Sequence, residues 1–222
     1  MGAALQVKAG TLKGKGMANG VDFDLSKELK FDRDEGIVRF GNSRVLIFDA
    51  NAMGLLRQNL IVELGIDRAR EFFLRFGYQN GFSDFRQMKA SGEYDSETEL
   101  LKMGPIMHTW EGIVKAVPNE LRYDRDKGEF YFTGIWKNSY EAEQHRAFNT
   151  VMEEPVCWSL TGYASGWSTA FFGSPLLAME TRCVGMGHDE CTWLIQPPAE
   201  FGAEAMPYVE ALKIFWNRTT SA

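Results

Sequence analysis

Apolar positions change spacing several times along this chain, and each change marks an element. Two short apolar runs within residues 36–49, separated by Gly41-Asn42, predict a β-hairpin. From Ala50 to Leu64 apolar residues return every three or four positions until Gly65 stops the run, which predicts a helix. Asp67 is placed to cap a second helix carrying Ala69, Phe72, Phe73 and Phe76, and the two are expected to pair antiparallel. Glycine-rich loops and a polar helix should then lead to Gly104. Alternation over 120–123 and 129–136, around the turn-forming 124–128, predicts two antiparallel strands. Ser139 opens a helix through Ala147, and Pro155 opens another over 156–172. Strand-like runs at 176–181 and 192–195 flank a cysteine-bearing loop. After Pro197-Pro198 comes an amphipathic stretch, 206–216, whose Leu212, Phe215 and Trp216 have three candidate seats: the body, a partner, or a following domain. The sum is an α+β fold, an antiparallel sheet packed with helices, in one domain over residues 21–200. Residues 1–20 read as a mobile leader, 21–65 as an N-terminal hairpin and helix, 66–200 as the main body and 201–222 as a C-terminal helix.

Composition narrows the function. The chain has 222 residues and is 45% hydrophobic, enough to bury a sizeable core. Its formal net charge is -6 with no long Lys/Arg run, so an electrostatic footprint for nucleic acid is missing. No apolar run approaches the roughly 18 residues of a membrane span, and the N-terminus lacks a signal-peptide core; a cytoplasmic location is expected. In that reducing compartment the three cysteines are thiols or metal ligands sooner than disulfides.

Those cysteines carry the first chemistry. Cys157 precedes a helix, Cys183 and Cys191 bracket a loop containing Gly185 and Gly187, and either Glu180 or His188 stands three residues before one of them. Three thiolates and a fourth protein ligand make a closed tetrahedral zinc site with no open position, a structural staple and not a hydrolytic centre. Three buried thiols are the plain alternative. The Cys-x-x-Cys with His-x-Glu of zinc deaminases is absent. On the residues alone His108 and Trp136 read as core positions.

Several motifs, in order, resemble a known family. They are Phe72-Phe-Leu-Arg-Phe-Gly-Tyr-Gln79, Gly104-Pro-x-x-His108 with Glu111-Gly-Ile-Val-Lys115, Glu154-Pro-Val-Cys-Trp158 and Leu160-Thr-Gly-Tyr-Ala-Ser-Gly166. Over residues 29–198 the chain is similar to the sensor domain, built on a four-vinyl-reductase module, of the XylR, DmpR and MopR kind of phenol, toluene and xylene regulators. The resemblance implies a ligand-sensing domain that relieves repression of an ATPase domain working with sigma-54 polymerase, followed by a DNA-binding domain. No Gly-x-x-x-x-Gly-Lys-Ser/Thr loop occurs, so the chain is read as the sensor half of a longer regulator.

The resemblance also assigns residues. It implies zinc on Cys157, Glu180, Cys183 and Cys191, and a phenol hydroxyl held by His108 and Trp136 in a pocket that includes Leu101, Phe132, Tyr163 and Trp167. Relatives carry aromatic side chains where this chain has Gly134 and Ala178, and tyrosine where it has Trp167. The expectation drawn from these exchanges is a pocket for substituted or larger, even bicyclic, phenols. A homodimer through 36–64 is implied as well. The rival readings are a sensor of hydroxyl-free aromatics, an enzyme with His108 as base beside Glu111, a tetrapyrrole module with His108 as axial ligand, and a scaffold.

Overall fold

A four-stranded antiparallel sheet faces one almost wholly buried helix in this computed structural model, which describes residues 24–41, 43–91, 94, 96–149 and 151–219. The expected leader and the start of the domain at Val21 lie outside the described residues. The described residues begin with a short helix α1 (Leu25–Glu28) and a three-stranded sheet, β1 (Leu29–Asp32), β2 (Ile37–Phe40) and β3 (Ser43–Val45), in order β1-β2-β3. β2 and β3 are the expected hairpin; β1 was not anticipated, because only its first residue is even half-buried and alternation is weak.

Helix α2 (Ala50–Leu64), capped by Asp49 Oδ1 accepting from Ala52 N at 3.1 Å, ends at Gly65. Gly65 has φ 81°, and α3 (Ile66–Ser91) starts at the next residue, so Asp67 lies in its first turn and pairs with Arg70 at 2.7 Å instead of capping. Part of the stretch expected to form glycine-rich loops is helical among the described residues. Gly77 and Gly81 lie inside this 26-residue helix.

They are there for a neighbour. Helix α6 (Trp158–Phe172) buries thirteen of its fifteen residues, so it is an internal helix with no solvent stripe. Where it crosses α3 a Cβ at Gly77 or Gly81 would overlap the carbonyls of Ser159 or Tyr163, and one at Gly162 or Gly166 would overlap those of Leu74 or Tyr78. Glycines on both helices bring the two backbones into direct contact. Two polar side chains of α6 are satisfied locally: Ser165 Oγ donates to Thr161 O and accepts from Ala178 N at 2.8 Å, and Thr169 Oγ1 accepts from Leu176 N at 3.0 Å.

The main sheet runs β4-β5-β7-β6, with β4 (Lys115–Asp124), β5 (Glu129–Lys137), β6 (Leu177–Arg182) and β7 (Cys191–Gln196). β4 starts five residues earlier than the alternation indicates, because Pro118 and an irregularity between Pro118 and Glu120 interrupt the pattern; as an edge strand it tolerates that proline. The inner face presents Phe130, Phe132, Gly134 and Trp136 from β5 and Cys191, Trp193 and Ile195 from β7.

Helix α4 (Glu97–Trp110) packs against β4, α3 and α6, and α5 (Tyr140–Phe148) packs against α2 and the loop between β6 and β7. The final helix, α7 (Met206–Thr219), packs on the body: Tyr208, Ala211, Leu212 and Trp216 are buried in a second core with Ala69, Phe73, Leu74 and Tyr78 of α3.

A ligand cavity and a metal cluster on one sheet

Helix α4 continues through Gly104-Pro105, and that junction builds the cavity floor. Pro105 has no N–H to give the carbonyl of Leu101 four residues back, and the indole N–H of Trp167 donates to it instead, at 3.0 Å. A Cβ at Gly104 would press on the same indole at 2.9 Å. Beyond the junction, His108 turns inward and stacks against Tyr163, ring centroids 3.8 Å apart.

These groups border a small cavity of about 30 Å³. Its wall is Gly104, Pro105 and His108 of α4, Ala116 of β4, Phe132 and Trp136 of β5, Tyr163, Ala164, Trp167 and Ser168 of α6, and Trp193 and Ile195 of β7. His108 is only 4% exposed, and burial holds its imidazole down at about 3, so it is neutral near pH 7. No described residue hydrogen-bonds the ring nitrogens of His108 or the indole N–H of Trp136.

The sequence-predicted pocket residues divide. His108, Trp136, Tyr163, Trp167 and Phe132 line the cavity; Leu101, Gly134 and Ala178 stand behind its wall. Leu101 contributes its carbonyl to Trp167, and Ala178 its N–H to Ser165. Gly134 does not open space. Its cross-strand partner is Trp193, whose ring occupies the place a side chain at 134 would need. The space expected from Gly134 is filled by that ring. Trp193 was missed by sequence reasoning, although its alternation with Cys191 and Ile195 already places it on the inner face.

One step along the same strands is the second site. Cys157, Glu180, Cys183 and Cys191 are all buried, and one ligand atom from each lies within 4.8 Å of the others. Cys157 Sγ and Cys191 Sγ are 3.9 Å apart. The three sulfurs have N–H and O–H neighbours: Ser139 Oγ is 3.1 Å from Cys157, and Val184 N and Gly185 N donate to Cys191 and Cys183 at 3.3 Å each. Glu180 accepts from Cys157 N at 3.2 Å, and its other oxygen is buried without a partner among the described residues. Burial, then the neighbouring Cys183, pushes the Glu180 carboxyl well up, and burial does the same to the Cys157 thiol. Four acidic groups so packed call for a cation. His188 turns away, its Nδ1 accepting from Cys183 N at 3.1 Å. Gly187, with φ 87°, and Gly185, where a Cβ would overlap Val156, let the loop close.

A buried ion pair ties this end of the fold together and was invisible in the sequence. Arg57 of α2 reaches Glu141 Oε1 at 2.7 Å and Val156 O at 2.8 Å, and stacks on Trp158 at 3.6 Å. Glu141 Oε2 accepts from Ser159 N and Leu160 N, capping α6, whose N-cap residue Cys157 makes no side-chain cap.

A small, largely apolar cavity bordered by a neutral imidazole and indoles thus lies beside a buried cluster of three cysteines and a glutamate, the layout of a small-molecule sensor domain. Residues 24–124 match the family described as activators of aromatic catabolism, and 136–197 match the four-vinyl-reductase domain. The phenol regulator MopR of Acinetobacter guillouiae is 35% identical over 80% of this chain and 32% of its own length; the transcriptional regulatory protein XylR of Pseudomonas putida is 33% identical over 81% and 32%. The crystal structure of the phenol-responsive sensory domain of the transcription activator PoxR, with phenol, matches at TM-score 0.77 and 34% identity, covering 83% of this chain and 93% of that one. The chain belongs to this family of sensory domains of activators of aromatic catabolism. It spans about a third of the length of the curated relatives it matches.

Proposed function

We propose that this domain is a phenol sensor whose effector occupies the cavity between α4, α6 and the sheet. One observation carries the reading: an imidazole held neutral by burial and an indole N–H, neither engaged by a described residue, both border a small, largely apolar cavity. Neutral imidazole accepts the phenol O–H, and the indole donates to the phenol oxygen. Burial of the ring supplies affinity, about 25 cal/mol per Å² of apolar surface, and the polar pair supplies orientation. A hydroxyl-free ring leaves both groups unpaired, at a cost on the order of 1 to 3 kcal/mol. The relatives named for phenol support this reading over a hydrocarbon sensor. His108 is then a recognition group and not a general base.

The metal we assign is zinc. Tetrahedral zinc with Zn–S near 2.3 Å sets sulfurs about 3.8 Å apart, which the 3.9 Å between Cys157 and Cys191 fits. The ion would hold the β6–β7 loop and the start of α6 together; it has no part in chemistry.

The rest of the reading concerns the longer regulator. The effector would shift the domain between two states of unequal affinity, releasing a following ATPase domain, with α7 as the outgoing connection. Transcription control implies the cytoplasm, and among the described residues no helix is long and apolar enough to cross a membrane. A homodimer would use the N-terminal part, where Leu46, Ile47, Phe48, Leu55 and Val62 are exposed.

Calorimetric titration of the metal-loaded protein with phenol, a cresol and toluene tests the core of the proposal. Saturable binding of the phenols, weaker by about tenfold or more for toluene and for phenol on His108→Ala, is expected. Equal affinity for toluene and cresol would overturn it.

A further inference from the structure

Three indoles border the cavity, and they are not equivalent. The N–H of Trp167 is committed to the Leu101 carbonyl. Trp136 stands opposite Cys191 on the neighbouring strand, and its N–H is the one assigned above to the phenol oxygen. Trp193 is the third. It borders the cavity with its ring 4.9 Å, centroid to centroid, from Phe132 and 6.1 Å from Trp136, and its N–H is buried with no partner among the described residues.

A buried N–H without a partner is uncommon and unfavourable, and a group of this kind in a cavity wall has one obvious use, donation to whatever fills the cavity. Trp193 can occupy its place because residue 134 across the strand pair is glycine; any Cβ there would collide with the ring. The pair Gly134 and Trp193 thus exchanges a side chain on β5 for a donor on β7. The wall contains no Lys or Arg, and His108 is neutral, so an anionic substituent has no counter-charge. At about 30 Å³ the cavity leaves no space for a second ring.

We infer that Trp193 is a specificity-determining donor, and that the effector class this cavity selects is a single-ring phenol carrying a second, uncharged acceptor oxygen, such as a methoxyl, hydroxyl, formyl or nitro group. The hydroxyl takes His108 and Trp136; the second oxygen takes Trp193. Carboxylate-bearing phenols are excluded by the same wall. This inference rests on the phenol reading of the site and adds the substituent to it.

The test compares 2-, 3- and 4-methoxyphenol with the ethylphenols of the same substitution, which match them in size but lack the acceptor. On the metal-loaded protein at least one methoxyphenol is expected to bind about tenfold tighter than its ethyl counterpart, although ethyl is the more apolar group. In Trp193→Phe that ratio should collapse toward one. Should the variant fail to fold, the indole N–H resonance of Trp193 in the unaltered protein gives the same answer, moving downfield with the methoxyphenol and not with the ethylphenol. Ethylphenols equal to or tighter than methoxyphenols at all three positions would overturn the inference while leaving the phenol reading intact, as would an unmoved Trp193 resonance. Failure of phenol and every substituted phenol to bind would bring down both.

Discussion

His108 shows how burial sets both recognition and stability at one residue. Unfolded, its imidazole takes a proton near pH 6.5; folded, it does so only at about 3. Between those values the unfolded chain binds more protons, so stability contributed by the neutral imidazole is complete above 6.5 and is lost as pH falls toward 3, at about 1.4 kcal/mol per unit. Urea unfolding at pH 7 and pH 5 should therefore find the unaltered protein losing about 2 kcal/mol more than His108→Gln over that interval. Equal losses would mean that His108 is solvated in the folded state. Phenol affinity, by the same logic, should not follow a pKa near 6.5. None of this was legible from the residue itself: a histidine among Ile106, Met107 and Trp110 reads as core, and only its motif context singled it out.

At the scale of elements, local chemistry was legible and long-range packing was not. The turn at 124–128, the Ser139 cap and the cysteine loop announce themselves by residue type, and α5, β5 and β7 fall within a residue or two of expectation. Gly77 and Gly81 misled because a glycine in sequence looks like a breaker, whereas here a backbone about 80 residues away requires it. Gly162→Ala should reveal that demand, since its methyl meets the Leu74 carbonyl; a loss of about 2 kcal/mol or more in chemical denaturation is expected, and a neutral effect would show that the helices separate freely. Strand β7 carries a second expectation. It supplies Cys191 to the cluster and Trp193 to the cavity, and Cys191 pairs with Trp136, Trp193 with Glu180. The cluster and the cavity share strand β7. Stripping the metal with a chelator should weaken phenol binding by about tenfold or more, through loss of placement in the cavity wall. Unchanged affinity in a protein verified metal-free would separate the two sites.

Over the whole molecule the exposed apolar surface is uneven. Leu46, Ile47 and Phe48 are each more than 60% exposed, and Leu55, Leu56 and Val62 of α2 add to them; patches of this kind mark interaction surfaces. Ile47→Lys with Leu55→Glu should convert a dimer to a monomer in analytical ultracentrifugation without disturbing phenol binding, and a monomer in the unaltered protein would refute the dimer. The cavity, by contrast, has two kinds of wall. On the helix side α6 is fused to α3 through backbone contacts that leave no room for an added methyl. On the sheet side Gly134 and Trp193 face each other as a complementary pair, and bulk can pass from one strand to its neighbour with the total conserved. Diversification of this sensor toward new inducers has a route open through paired exchanges on β5 and β7 and a closed one through α6. A library confined to positions 134 and 193 samples inducer range while leaving the α3–α6 contact and the cysteine cluster untouched.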